Sequence, residues 1–98
     1  MSLPVVFRPA ASADAEEAFH WYEARRPGLG LELLAEIDRV VKTIAESPDR
    51  FPLIHREARR ALLSRFPYAI FYRVIEERIV VVACFHAKRN PSVWKSRV

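Results

Sequence analysis

Only two glycines, Gly28 and Gly30, occur among the 98 residues, and both fall in one short connection. A phosphate-cradling loop or a dinucleotide-binding turn needs several glycines at a strand-to-helix junction, so nucleotide cofactors are excluded. Cysteine is rarer still: Cys84 stands alone inside an apolar run, with no partner for an intrachain disulfide. It reads as a buried, inert thiol in a reducing compartment. The three histidines, at positions 20, 55 and 86, match no common zinc spacing, so no metal site is expected. Neither Ser64 nor Ser92 sits in a glycine-flanked elbow, which removes the usual serine-hydrolase arrangement. No apolar run approaches the length of a membrane span, and the first residues lack the basic and then apolar layout of a secretory signal. A cytoplasmic chain with no membrane partner and no cofactor is the expectation.

What the chain does have is apolar material for one modest core. Hydrophobic residues make up 51% and aromatics 11%, which places residues 1–98 in one folded domain rather than a disordered segment. Charge is divided unevenly. Residues 55–98 carry ten Lys or Arg against three Glu, whereas residues 1–54 carry six against nine acids. A cationic half of this kind suits an anionic partner: nucleic acid, an enzyme that works on nucleic acid, or an acidic protein segment. A solvated basic face with no ligand satisfies the same count.

Val5-Val6-Phe7 is a short strand-like run that stops at Arg8-Pro9, and proline fits the first turn of a helix. Over residues 9–26, Ala11, Ala15, Ala18, Phe19 and Tyr22 recur at three- and four-residue spacing while Asp14, Glu16, Glu17 and Glu23 take other faces. This predicts an amphipathic helix with a solvated acidic side. Pro27-Gly28-Leu29-Gly30 ends it. A second helix follows, with Leu33, Leu34, Ile37, Val40, Val41 and Ile44 as its apolar stripe and Ser47-Pro48 as its stop. So short a link predicts an antiparallel helical hairpin.

Residues 48–57 read as an irregular crossover that tucks Phe51 against the body. Strands are then expected over residues 60–65, 68–75 and 78–86, with Glu76-Glu77 at the last reversal. The last strand is the most continuously apolar, so a central position covered by the hairpin is expected. The fold class is therefore α+β, in the order β-α-α-β-β-β, with the hairpin on a mainly antiparallel four-stranded sheet.

RNA cleavage through the 2′-hydroxyl requires a base, an acid and cations that stabilise the phosphorane, and no cofactor. Arg60, Arg65 and Arg73 on the expected strands, with His86, Lys88 and Arg89 at or past the end of the last one, offer that set if strand pairing gathers them. Taken singly, each also reads as a solvated cation, and His86 as a structural histidine at a strand end.

Several segments combine with this order of elements. They are Trp21-Tyr22-Glu23 late in the first helix, the Pro-Gly link, Ser47-Pro48, Phe66-Pro67-Tyr68 ahead of a strand containing Tyr72, and His86-Ala87-Lys88-Arg89-Asn90-Pro91 with Trp94 and Arg97. Together they resemble the RelE/ParE toxin superfamily over nearly the whole chain. That resemblance implies the toxin of a bacterial type II toxin-antitoxin pair, neutralised by a cognate antitoxin whose C-terminal segment folds on it, with a heterotetramer as the assembly. Trp21, Phe51 and Leu53 are then candidate apolar contacts for the antitoxin, with core packing as the other reading.

The two branches of the superfamily imply different chemistry. RelE-like members cut mRNA in the ribosomal A site, and such a member would use Arg60, Arg65, Arg73 and His86 as catalytic groups of an endoribonuclease. ParE-like members poison DNA gyrase and are not nucleases. The chain has no Tyr after Tyr72, where many RelE-like members end in Tyr or His-Tyr, and its last segment is closer to ParE-like and plasmid-stabilisation members. The resemblance thus favours the gyrase poison, with Lys88, Arg89, Trp94 and Arg97 as target contacts on a mobile cationic tail. The alternatives are a ribosome-dependent mRNA interferase and an inactive homologue kept as an antitoxin-binding regulatory subunit.

Overall fold

The computed structural model describes residues 2–88 and 91–97. Its elements are β1 (Val5–Phe7), α1 (Pro9–Arg25), α2 (Leu29–Glu46), β2 (Leu53–His55), β3 (Ala58–Leu62), β4 (Tyr68–Ile75), β5 (Arg78–His86) and α3 (Pro91–Lys95). The α+β class and the order of the expected elements stand. Two elements are added to them, β2 and α3.

Helix α1 buries Ala11 and Ala18, and α2 buries Leu33, Ile37, Val40 and Ile44 at helical spacing. Alanines on α1 let its backbone approach the sheet, while the larger side chains of α2 fill the remaining depth. Leu34, expected in the same stripe, is 39% exposed. Gly28 takes the left-handed φ of 90° that turns the chain between the helices. Gly30 is needed for a different reason: a Cβ there would lie 2.7 Å from the Phe19 carbonyl oxygen. The Gly30 N–H donates to Glu23 Oε1 at 2.8 Å, so an α1 carboxylate satisfies a free donor in the first turn of α2. Glu23 is therefore a helix cap rather than part of a solvated face.

The sheet has the order β1-β5-β4-β3-β2, with β1 parallel to β5 and the other pairs antiparallel. Strand β5 is interior, as expected. One face carries Ile70, Tyr72, Ile79, Val81 and Cys84 against the helices. The other carries Ala69, Phe71, Val80, Val82, Ala83 and Phe85 beneath Trp94. Phe71 pairs with Ala83 and Tyr72 with Val81, so β5 has one extra residue at Val82. The bulge puts Val82 and Ala83 on the same face and returns Cys84 to the helical side.

Strand β2 lies in the stretch expected to be irregular. It exists because His55 pairs with Ala58 across a two-residue turn, with Arg56 at φ 53°. That turn contains no Gly or Asn, the residues that usually announce one. Strand β3 stops at Leu62, short of the expected end at residue 65, and leaves Arg65 in the following loop. Phe51 does tuck inward, edge-on to Tyr72 at 6.4 Å. The Tyr72 hydroxyl donates to the Pro48 carbonyl at 2.6 Å and fastens the crossover, while burial pushes its phenol up to about 12.

The β3–β4 loop is held by Glu36, a buried carboxylate on α2. It accepts from Arg39 Nε at 3.0 Å, the Ser64 hydroxyl at 2.6 Å and the Ser64 N–H at 2.7 Å. The Arg39 guanidinium first, and then Ser64, hold its carboxyl down to about 2. Because this pKa is depressed on folding, the contribution is full above the unfolded Glu value of about 4.3 and is lost as pH falls through the folded value. Urea unfolding of the wild type and Glu36→Gln should therefore differ most above pH 5, with the gap closing steadily toward pH 2. A gap independent of pH would contradict that role.

The β4–β5 turn is a second local misfit. Glu76 and Glu77 both sit at positive φ, 50° and 60°, in a two-residue connection that favours Asn-Gly. The Glu76–Arg78 ion pair at 3.9 Å is exposed and contributes little. Replacing the pair by Glu76→Asn and Glu77→Gly should raise unfolding stability by about 1 kcal/mol in urea titrations.

Candidate functional site

Strand β1 covers the edge of β5 only as far as Val81, whose carbonyl accepts from the Arg8 N–H at 3.0 Å. Beyond that point β5 would present bare backbone groups, and two side chains cover them. Asp14 Oδ2 on α1 accepts the Cys84 N–H at 3.1 Å, and Arg97 Nη1 donates to the Val82 carbonyl at 3.2 Å. Arg97 and Asp14 also pair directly at 2.6 Å, with both side chains largely buried. The Arg97 guanidinium lies 4.6 Å from the Phe85 ring centroid.

Asp14 was expected on a solvated face, and it is instead the centre of this cluster. Helical periodicity gave no sign of it, because its partners lie about 70 and 83 residues away.

The C-terminal segment is likewise not a loose tail. Trp94 is 7% exposed and stacks on Phe71, with ring centroids 4.6 Å apart and planes 21° from parallel. His55 meets its edge at 5.9 Å. Of the four residues expected to touch a target, Trp94 and Arg97 are thus engaged with the sheet, Lys88 is exposed, and Arg89 lies outside the described residues.

The cations expected to serve RNA cleavage are not all gathered around His86. His86 pairs with Tyr68, whose ring packs toward the helices, and stands 5.6 Å from it. Arg60 pairs with Phe71 and Arg73 with Val80, which places both on the opposite face. The sheet therefore separates His86 from those arginines. Arg65 sits in the β3–β4 loop and pairs with Glu32 at 2.6 Å, while Arg73 pairs with Glu57 at 2.9 Å. His86 Nδ1 accepts the Lys88 N–H at 3.2 Å, which favours the neutral tautomer with its proton on Nε2. Arg60 differs from its neighbours: among the described residues it has no ion pair, and its buried Nε has no acceptor.

The concave surfaces among the described residues include two bordered by α1. A cleft of about 250 Å³ between α1 and the end of β5 is lined by Asp14, Glu17, Trp21, Tyr68, Cys84 and His86. An apolar groove of about 350 Å³ runs between the helices, bordered by Phe7, Ala15, Phe19, Leu34 and Ile37. Of the three candidate antitoxin contacts, Trp21 and Leu53 are 48% and 56% exposed, while Phe51 is packed against the core. Burial pushes the Cys84 thiol up to about 12, assisted by Asp14, so it is neutral and inert as expected. Among the described residues no group of His, Cys, Asp and Glu is arranged to hold a metal.

Asp14→Ala should remove the acceptor of the Cys84 N–H and strand Arg97 at once, lowering stability by about 2 kcal/mol in urea titrations. Arg97→Ala should cost less, because Asp14 would still accept the β5 N–H. The reverse order would show that the guanidinium, not the carboxylate, closes the strand edge.

Known proteins are similar to this chain in sequence and in fold. The chain is 29% identical over 87 residues to Toxin ParE2 of Mycobacterium tuberculosis, a span covering 87% of this chain and 82% of that protein. Its fold is similar to the chromosomal ParDE system of P. aeruginosa, at a TM-score of 0.77 and 19% identity over 87% of this chain and 96% of the other. It is also similar to the RelBE2 toxin-antitoxin complex of Mycobacterium tuberculosis, at a TM-score of 0.62 and 17% identity over 88% and 99%. Residues 5–91 match the family described as the ParE toxin of type II toxin-antitoxin system, parDE. With residues 5–91 matched to it, the chain belongs to that family of ParE toxins, within the RelE/ParE superfamily.

Proposed function

We propose that this chain is the toxin of a type II toxin-antitoxin pair, that it acts on DNA gyrase rather than on mRNA, and that a cognate antitoxin neutralises it. The observation that carries the choice of target is the separation of His86 from Arg60 and Arg73 by the sheet. A nuclease needs its base, acid and phosphate-holding cations around one scissile bond, within hydrogen-bond reach of the reacting atoms. Here Arg65 and Arg73 are also engaged with carboxylates. A poison that works by docking has no such requirement.

The exposed apolar side chains support an antitoxin partner. Trp21, Leu31, Leu34 and Leu53 are each more than a third exposed, and Leu34 borders the groove between the helices. A segment that orders as it binds would gain apolar burial there. One solved structure of the same fold is itself a toxin-antitoxin complex, and the same kind of assembly is proposed here.

The test is DNA cleavage by purified gyrase with ATP, read as linear plasmid released by detergent and protease. Linear product should rise with dose of this chain and vanish when antitoxin is added. Lys88→Ala should weaken the effect two- to fivefold, as loss of an exposed interfacial charge does. Trp94→Ala should abolish it by destabilising the chain by about 3 kcal/mol, visible as a lower melting temperature. No linear product from folded protein, with cleavage of ribosome-bound mRNA instead, would overturn the gyrase target and restore the nuclease.

A further inference from the structure

We propose that the edge of β3 beyond its pairing with β2 receives an extended acidic segment of a partner protein, added there as a short strand. Strand β2 leaves that edge early. The Arg60 N–H donates to the Pro52 carbonyl at 3.1 Å, and Pro52 has no N–H with which to return the bond to the Arg60 carbonyl. The chain before Pro52 turns away, with the Arg50 N–H donating to the Ser47 carbonyl. On the other side of β3 the Leu63 N–H donates to the Tyr68 carbonyl, so the preceding residue, Leu62, directs its N–H and C=O away from β4. The Arg60 carbonyl and both backbone groups of Leu62 therefore have no partner among the described residues. A free donor between two free acceptors is what an added strand pairs with.

The surroundings select the strand that fits. A hollow of about 160 Å³ beside the edge is lined by Arg39, Val40, Thr43, Arg50, Phe51 and Leu62. Arg39 is matched by Glu36, and Arg59 by Asp49. Arg50 and Arg60 have no ion pair or side-chain hydrogen bond among the described residues, and the Arg60 Nε is buried without an acceptor. Arg50 borders the hollow beside α2, whereas Arg60 belongs to the opposite face of the sheet. Side chains of a strand alternate between faces, so two successive carboxylates would present one to each arginine. An unmatched buried guanidinium nitrogen destabilises the free protein, and a partner carboxylate would offset that cost.

Two other occupants fit less well. A second copy joined edge to edge about a symmetry axis would set the unmatched arginines of both chains against one another. Nucleic acid would satisfy the arginines but has no peptide groups to meet Leu62. The hollow shares no lining residue with the groove between the helices. The inference concerns the free chain and does not rest on the gyrase reading.

The test follows the Leu62 amide resonance while acetyl-Thr-Val-Glu-Glu-Val-Thr-amide is added to the full chain. That resonance should shift saturably at millimolar concentration, and the peptide with Lys in place of both Glu should bind about tenfold more weakly. Leu62→Pro removes the free N–H at an edge position where proline is tolerated, and should weaken binding of the fluorescently labelled acidic peptide about tenfold. Arg60→Gln should weaken it about fivefold without lowering the melting temperature, because the free fold gives the Arg60 Nε no acceptor. A Leu62 amide that does not respond, equal binding of the Lys peptide, or undiminished binding by either folded variant would each overturn the assignment. So would tighter binding of oligothymidylate than of the acidic peptide, or self-association that shifts the Leu62 amide with no peptide present.

Discussion

Strand β5 is buried on both faces, and that constraint organises the rest of the molecule. Each of its Ile, Val and Phe side chains contributes roughly 1.5–3 kcal/mol only if it is removed from water, so one covering layer is not enough. The helical hairpin supplies the first layer, with alanines on α1 permitting close approach. Trp94, on a helix of five residues, supplies much of the second. Alternation along the strand serves both layers, and the bulge at Val82 turns Ala83 and Phe85 toward Trp94 and Cys84 toward the helices. Past Val81 the outer neighbour β1 has ended, and the Asp14–Arg97 pair closes what would be an unprotected strand edge. The C-terminal segment is thereby part of the fold as well as part of any functional surface.

Electrostatics follow from the same packing. The basic half of the sequence looks uncompensated along the chain, yet Arg59, Arg65 and Arg97 each meet an acid from the other half, at Asp49, Glu32 and Asp14. The surface left to attract an anionic partner is smaller than composition suggests. A dispersed set of cations is poorly suited to phosphoryl chemistry and better suited to steering and docking.

Much of the fold was legible in the residues. The runs Tyr68–Ile75 and Arg78–His86 are rich in branched and aromatic residues and fall where β4 and β5 do, because a buried strand must be continuously apolar. The two helices were marked by apolar spacing, by Pro9 at one start and by Pro48 after the other stop. Strand β2 was hidden because its turn uses Arg56 and Glu57 in place of turn-forming residues, and its pairing depends on β3. Helix α3 was hidden because five residues carry too little periodicity to read. The candidate cations were found as residue types, but alternation along separate strands could not tell which face each would share with the others.

The sequence by itself determined the class of fold and the burial of the lone thiol, since each follows from which residues are present and how they repeat locally. It also carried the family, through an ordered set of short segments. Tertiary structure alone decided that Asp14 and Glu36 anchor distant backbone, that Trp94 is core rather than tail, and that the sheet stands between His86 and the two arginines Arg60 and Arg73. Those outcomes depend on strand register and on contacts between residues tens of positions apart, and no local pattern encodes either.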